Sequence, residues 1–521
     1  MLYNFGSKTG DPLFPDPAGI IAQGHDGNLY STTPYGGAGG GYGNGTVFRI
    51  TPSGTLSVIN QLQSRSDSGL TLATDGNFYG AGDGGIFKVT RNGNLTKLFP
   101  LLSPGGFLET DSPPIQAKDS NFYGNTSMCE SGDFVYKFTP SGTTPIVLHT
   151  FSAEEGFCVN PLVQGSDGNL YGTALRGGTG YAGTVFKITP SGKFTLLFTF
   201  PQSSGPISFP DGNLPNGPLT WASDGNLYGT AEYGGTGNCL NGPGCGVVFK
   251  ITPSGSFTVL HSFTNSDGNG VLPQTGLVQA TDGNLYGTTS AVTSSFGCGT
   301  IFRISLTGTF HHVYTLPHDK SLGCTPLVPL VQHTNGLIYG DTIVGGTGTP
   351  SGGVFFKLNA NLPLFVSLLP YSGKVGKTIE FLGQGFTLTS TVSFSGAATT
   401  PTLLSSTGTY LTATVPNGAT TGFVTVTTSG GALKSNKIFR VTPQITSFTP
   451  TSGLVGASVT ITGVSLKQTT KVTFGGVKAA SFTVDSDTRV TATVPRDTVT
   501  GSIAITTAGG TATSSGTFTV D

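Results

Sequence analysis

Asp167-Gly168-Asn169-Leu170-Tyr171 is one of seven copies of a five-residue motif, and its recurrence decides the fold. Five other copies begin at Asp26, Asp75, Asp119, Asp224 and Asp282, and a worn one, Asn335-Gly336-Leu337-Ile338-Tyr339, ends the series. Their tyrosines lie 49, 44, 48, 57, 58 and 53 residues apart. A period near 50 built from β-type residues marks a propeller or a similar repeat array. Working outward from Tyr171, residues 161–164 read as strand A and 166–169 as a tight turn of residues that tolerate positive φ. Residues 170–173 read as strand B, and a glycine-rich loop leads to strand C at 183–189. Pro190-Ser191-Gly192 turns the chain into strand D at 194–198. Four antiparallel strands make one propeller blade.

The seventh unit has a strand C, Gly353-Val354-Phe355-Phe356-Lys357-Leu358, but no strand D. Leu2-Tyr3-Asn4-Phe5 resembles the strand D sequence Val147-Leu148-His149-Thr150-Phe151 and has no blade of its own. The expected fold is therefore all-β: a seven-bladed β-propeller closed by an N-terminal strand, residues 1–361, followed by two Ig-like β-sandwich domains. The sandwiches are expected at 363–441 and 443–521, where units of about 80 residues share Ser372-Gly373-Lys374-Val375-Gly376 with Ser452-Gly453-Leu454-Val455-Gly456 and carry about seven short strands each. The short join at Val441-Thr442-Pro443 predicts a semi-rigid row. A–B and C–D turns hardly vary within the chain, whereas B–C and D–A loops do, so function is expected at the loop end.

Composition narrows the class. Charged residues make up 10% of the chain, against ~25% in ordinary domains, and 81 glycines punctuate short apolar runs instead of diluting them. The 25 Lys and Arg against 26 Asp and Glu form no basic stripe, which argues against nucleic acid. No run reaches the ~18 apolar residues of a membrane span, so membrane insertion is not expected. The opening Met1-Leu2-Tyr3-Asn4-Phe5 has no signal-peptide pattern, leaving a removed leader or a cytosolic protein. The six cysteines choose between these. By repeat register they pair as Cys129–Cys158, Cys298–Cys324 and Cys239–Cys245, and disulfides favour a secreted or cell-surface protein.

Leu285-Tyr286-Gly287-Thr288-Thr289 and Val185-Phe186-Lys187-Ile188-Thr189-Pro190-Ser191-Gly192 resemble the glycine-rich "GloVer" tandem repeats of secreted bacterial proteins, over roughly residues 1–361. That resemblance implies a secreted or surface-exposed β-propeller and brings no catalytic residues. Pro370-Tyr371-Ser372-Gly373-Lys374-Val375-Gly376 and Ile445-Thr446-Ser447-Phe448-Thr449-Pro450 resemble IPT/TIG domains. This second resemblance implies Ig-like modules used for adhesion or as spacers.

The Asp-Gly-Asn turns are too short for a calcium loop, and the glycine strings lack the Gly-Lys-Ser/Thr of a phosphate loop. Strand neighbours His311 and His312 point to opposite faces, so a copper-oxidase site is not expected, nor any metal or cofactor. Gln23, Gln116, Gln164, Gln279 and Gln332 occupy one repeat position, with Leu72 and Trp221 replacing them elsewhere. A glutamine ring could bind sugar hydroxyls, but buried amides that satisfy backbone groups between blades are the favoured reading. The catalytic candidates are Glu130, Glu154 and Glu155, drawn together by Cys129–Cys158 and suited, as a carboxyl pair, to glycoside hydrolysis. The binding candidates are Tyr35, Arg176, Tyr181, Glu232, Tyr233 and Asp341.

Three functions fit: binding of a glycan or an extracellular protein through the loop end with the sandwiches as stalk, a carbohydrate-active enzyme, or a self-associating fibre protomer. Whether the chain is an enzyme is left open by these residues. Peptide mapping without reduction is expected to recover the three cysteine pairs and no free thiol.

Overall fold

The computed structural model describes the chain except residues 16–18, 39–43, 83, 104–105, 108–111, 128, 130–131, 143, 202–208, 238, 240–243, 267, 294–296 and 348–351. The described residues form strands, turns and loops, with no helix among them. They divide into two compact units, Met1–Gly24 with Asn28–Pro363, and His25–Gly27 with Leu364–Asp521.

In the first unit, alternating apolar residues build the sheet expected around Tyr171 from Val163–Gln164, Leu170–Arg176, Thr184–Ile188 and Phe194–Thr199. Antiparallel pairing sets Tyr171 opposite Lys187 and Lys187 opposite Thr195. Six further sheets repeat the strand order. The N-terminal strand Tyr3–Asn4 pairs with Val354–Leu358, with Tyr3 opposite Phe355, and so supplies the fourth strand of the last sheet. In six sheets the pairing of strands C and D shifts register just before the central aromatic residue, as at Val185/Phe186 and Val248/Phe249. This bulge has no signature in the sequence pattern.

The motif builds a carboxylate clamp. Asp167 Oδ1 accepts the Asn169 backbone N–H (3.1 Å), while Oδ2 accepts the Asn169 side-chain amide (2.7 Å) and the Tyr171 hydroxyl (2.7 Å). The hydroxyls of Tyr79, Tyr123, Tyr228 and Tyr286 reach Asp75, Asp119, Asp224 and Asp282 in the same way, at 2.7–3.0 Å. Each ring is buried, so its phenol needs a partner, and the turn carboxylate four residues earlier provides one. A strand C cation completes the cluster, with Lys137 3.5 Å from Asp119, Lys250 3.1 Å from Asp224 and Arg303 3.9 Å from Asp282. In the worn copy the polarity reverses: Asn335 donates its side-chain amide to the Tyr339 oxygen at 2.9 Å.

Apolar seams join consecutive sheets. Tyr171 and Val185 pack with Leu227 and Phe249, and Tyr228 and Val248 with Leu285 and Phe302. Leu29 and Phe48 of the first sheet pack with Tyr339 and Phe355 of the last and with Phe5, which follows its N-terminal strand, so the succession of seams returns to its start. Glutamines latch five seams. The backbone N–H groups of Thr74, Lys118, Ser223, Thr281 and Thr334 donate to the side-chain oxygens of Gln116, Gln164, Gln279, Gln332 and Gln23 at 2.8–3.0 Å. Their oxygens are thereby engaged in the fold, as the structural reading expects. Trp221, in place of a glutamine, packs on Tyr171 (5.5 Å between ring centres), and a Cβ at Gly165 would stand 2.6 Å from its indole.

The second unit contains two sandwiches of like topology. In the first, Ser367–Leu369, Thr378–Leu382, Tyr410–Thr414 and Leu403–Leu404 face Ala397–Thr399, Thr391–Phe394, Thr425–Thr428 and Gly431–Lys434. The second repeats this with Gln444–Thr449, Ser458–Val464, Arg489–Thr493 and Ser481–Ser486 against a sheet led by Ser452–Gly453 and Gly510–Val520. Separate cores fill them, one around Phe381, Phe394 and Phe439 and one around Ile461, Phe474 and Phe518. Strands outnumber the expected seven because two-residue segments such as Ser372–Gly373 and Leu403–Leu404 pair at the edges. Contacts tie the two together. The Gln468 side chain bridges the Thr421 backbone, accepting its N–H (2.9 Å) and donating to its carbonyl (3.2 Å), and Arg440 Nη1 donates to the Ala508 carbonyl (3.0 Å).

Removing one clamp carboxylate should leave a buried phenol unsatisfied. Asp167→Ala is expected to cost about 2 kcal/mol in denaturant unfolding, part of it recovered by adding Tyr171→Phe. Tyr136 tests the same rule in reverse. It replaces the phenylalanine of the other sheets, its hydroxyl has no hydrogen-bond partner among the described residues, and burial pushes its pKa up. Tyr136→Phe should therefore stabilise by about 1 kcal/mol. Burial alone would raise the carboxyls of Asp119 and Asp224, but hydrogen bonds from Asn121 and Tyr123 and from Asn226, Tyr228 and Lys250, with the Lys137 charge, hold both below the ordinary value. Since folding depresses these pKa values, their stabilisation is full above the unfolded value of about 3.9 and is lost as pH falls through the folded one. Melting temperature should drop below about pH 4, and Asp119→Asn with Asp224→Asn should flatten that drop.

Candidate functional site

Antiparallel strand order places each B–C loop beside the D–A connection that follows it, and the three disulfides lie in these segments. Cys129–Cys158 and Cys298–Cys324 each join a B–C loop to the next D–A connection, and Cys239–Cys245 closes one B–C loop. The pairs are those read from the repeat register.

The loop end is less variable at its base than its sequence suggests. Beyond the four-stranded sheets, the far end of strand B pairs again with the incoming connection: Leu13 with Tyr35, Phe157 with Arg176, Asn213 with Tyr233, Val271 with Ala291 and Cys324 with Val344. Tyr35, Arg176 and Tyr233 thus occupy equivalent places. Phe14, Leu214, Leu272 and Thr325, each followed by proline, adopt φ of 52–59°. Their N–H groups donate to Gly352, Ala182, Cys245 and Cys298 carbonyls in the preceding loop at 2.8–2.9 Å. The prolines rest on the glycine that opens strand C: a Cβ at Gly183 would stand 2.4 Å from Pro215, and one at Gly246 2.3 Å from Pro273. Left-handed backbone in a non-glycine residue is uncommon and costly, and its recurrence here marks a structural joint, not a ligand clamp. The recurring X-Pro and the glycine before strand C were the available signals.

Tyr181 does not belong to that series. It stands alone in the B–C loop of the fourth sheet at φ 54°, 67% exposed, with its N–H bonded to the Gly178 carbonyl at 3.2 Å. Its ring meets the edge of Phe157 at 6.5 Å, and Phe157 pairs across the ladder with the exposed Arg176. Phe157 adjoins Cys158, whose N–H donates to the buried carboxylate of Asp133 at 2.8 Å. Tyr181 and Phe157 thus form an aromatic pair, with Phe157 across the ladder from Arg176 and next to the Cys129–Cys158 bridge. Phe157 and Asp133 were missed in the sequence; adjacency to cysteine was the only hint.

The other candidates are more engaged. Arg65 lies 5.5 Å over the half-buried Tyr35 ring, with Nε 2.7 Å from Asp67. Glu232 is buried and accepts a long hydrogen bond from Asn216 (3.4 Å). Burial first, then the Glu232 carboxylate, pushes the adjacent Tyr233 phenol up to about 12. Asp341 is 1% exposed inside a strand B, not in a loop. Its counterparts Thr173, Thr230 and Thr288 donate hydroxyls to carbonyls of the next connection at 2.7–3.1 Å. Glu155 accepts the Ser152 N–H (2.9 Å) and hydroxyl and pairs with His149 at 3.1 Å, so it closes its own turn. Glu154 is exposed, and Glu130 lies outside the described residues. Among the described residues, no three His, Cys, Asp or Glu side chains group to hold a metal.

The profile of the Gloeobacter/Verrucomicrobia repeat matches residues 81–269 and 208–403. The chain belongs to that repeat family. An IPT/TIG domain matches residues 443–520. No curated protein matches the chain. Solved structures similar to this repeat protein include two extracellular domains of putative hybrid two component systems from B. thetaiotaomicron. One is 13% identical with a TM-score of 0.45, covering 81% of this chain and 57% of its own. The other is 14% identical with a TM-score of 0.44, covering 99% and 56%. The chain thus spans little over half the length of either. A fungal alcohol oxidase of the AA5 family, in complex with copper, is 12% identical with a TM-score of 0.43 over 84% of this chain and 100% of that one.

If Tyr181 serves the fold, replacing it should destabilise; if it serves the surface, it should not. Tyr181→Gly, which relieves the left-handed backbone, is expected to change unfolding free energy by no more than about 1 kcal/mol.

Proposed function

We propose that this chain is a secreted or cell-surface binding protein. Residues 1–361 are read as a seven-bladed β-propeller whose loop end takes the ligand, and residues 363–441 and 443–521 as two IPT/TIG domains forming a stalk. No helix among the described residues is long and apolar enough to cross a membrane, and three disulfides support an oxidising location. Cyclic succession of the apolar seams supports the propeller, and the matching backbone bonds of the two sandwiches support a second IPT/TIG domain at 363–441.

One observation carries the binding reading: Tyr181, held 67% exposed on left-handed backbone beside Phe157 and Arg176. An exposed aromatic face near a polar donor suits a sugar ring, whose C–H face stacks while its hydroxyls hydrogen-bond. A glycan is therefore the preferred ligand class, with an extracellular protein as the alternative partner. Soluble polysaccharides in affinity electrophoresis provide the test. Retardation by at least one glycan, lost in Tyr181→Ala and weakened in Arg176→Ala without a change in melting temperature, is expected. Equal retardation of wild type and Tyr181→Ala would exclude this site, and release of reducing sugar would favour the enzyme.

A further inference from the structure

The Glu155 carboxylate gathers three donors on one oxygen. Its Oε2 accepts the Ser152 backbone N–H (2.9 Å) and the Ser152 hydroxyl (3.2 Å), and His149 Nε2 lies 3.1 Å from it. His149 is itself fixed, because its ring stacks on Phe194 of the adjoining strand D with centroids 4.3 Å apart. The carboxylate therefore ties the turn at 152–156 back to the strand it leaves. Within the turn, the Glu155 and Gly156 N–H groups both donate to the Ser152 carbonyl (3.0 and 3.1 Å). The Glu155 carbonyl accepts the Thr184 hydroxyl (2.7 Å), which pins the turn to the start of strand C.

The same turn holds the loop that carries Tyr181. The Gly178 N–H donates to the Ala153 carbonyl (3.2 Å), and the Tyr181 N–H donates to the Gly178 carbonyl (3.2 Å). The crossing is close: a Cβ at Gly177 would stand 2.5 Å from the Gly156 Cα and 2.8 Å from the Ala153 oxygen. Two backbone hydrogen bonds thus lead from a turn closed by Glu155 to the residue whose ring is 67% exposed. Two other sheets have an equivalent crossing, where the Gly235 and Gly346 N–H groups donate to the Phe209 and Lys320 carbonyls (both 2.8 Å). Their connections are longer, running from Phe200 to Gly212 and from Leu316 to Gly323, against Phe151 to Gly156. The shorter connection must reverse at once, and the carboxylate closes that reversal.

We propose that Glu155 is a positioning residue for Tyr181: it holds the turn at 152–156 so that the Ala153 carbonyl fixes the Tyr181 loop in its ligand-receiving conformation. The inference rests on Tyr181 as the binding side chain, and it gives Glu155 a part in recognition in place of acid–base chemistry. A ring held in place before the ligand arrives loses less conformational entropy on binding. A looser turn should therefore weaken binding although Glu155 touches no ligand. A side-chain amide oxygen can accept the same hydrogen bonds, so Glu155→Gln should keep the latch that Glu155→Ala opens.

Amide hydrogen exchange read residue by residue, with affinity electrophoresis on the same variants, provides the test. In Glu155→Ala, exchange at Gly178 and Tyr181 should be several-fold faster while exchange at Gly235 is unchanged, because only a local opening is eased. Retardation by a glycan that the wild type binds should fall several-fold in Glu155→Ala and stay near wild type in Glu155→Gln. His149→Phe serves as a milder second variant. It removes one donor and keeps the ring stack, as Phe198 on Phe257 does in the next seam at 3.9 Å, and should speed exchange at Gly178 by a smaller factor. Unchanged exchange at Gly178 and Tyr181 in both variants would overturn the proposal. So would equal retardation of wild type and Glu155→Ala by a glycan that Tyr181→Ala releases, or a loss in Glu155→Gln as complete as in Glu155→Ala. Should no glycan retard the wild type, the sugar-binding reading of Tyr181 fails, whereas the exchange rates still decide whether Glu155 positions it.

Discussion

A buried tyrosine hydroxyl must be hydrogen-bonded, and in this protein its partner is a carboxylate four residues earlier in the chain. Much of the repeat architecture follows from that constraint. To reach Tyr171, Asp167 must fold back over a tight turn, which Gly168 allows at φ 87° and Asn169 locks with two further bonds. The same ring, once satisfied, can enter the seam toward the next sheet and pack with Leu227 and Phe249. One hydrogen bond thus couples a local turn to a long-range interface. Since neither aspartate nor tyrosine suffices alone, the spacing between them varies far less than the distance between repeats.

Around this device the seams are closed by different means at different depths. Aromatic packing fills the middle of each sheet. Glutamine side chains bind the backbone of the preceding sheet near the turns, and X-Pro joints clip the connections onto strand C glycines at the opposite end. The loop end consequently has a rigid base, and diversity is confined to what projects from it. Arg176 and Tyr181 project, whereas Asp341 and Glu232 are taken up by the scaffold. A surface for recognition needs such a division, because an exposed aromatic ring held in place loses little conformational entropy when a ligand covers it.

Much of the fold was legible because repetition multiplies weak signals. A single Asp-Gly-Asn-Leu-Tyr stretch is a turn and a strand; seven of them assign strands across the first unit. The pairing of Cys129 with Cys158 and of Cys298 with Cys324 followed from shared register, as did the N-terminal strand that meets Val354–Leu358. The site was far less legible. Phe157 stands where the other connections carry Leu13, Asn213, Val271 and Cys324, so no shared residue type marks the position that meets Arg176. Asp341 drew attention as an outlier in charge, yet its strand position is buried in every sheet.

The amino-acid order by itself determined the strand pattern and the repeat period, because hydrophobic alternation and turn chemistry act over a few residues and need no distant partner; repetition of that pattern then gave the cysteine pairing. Tertiary structure alone decided which loop side chains remain at the surface: Tyr181 outside, Glu232 inside. Exposure depends on what another segment, tens or hundreds of residues away, places on top of a residue. No local pattern encodes it.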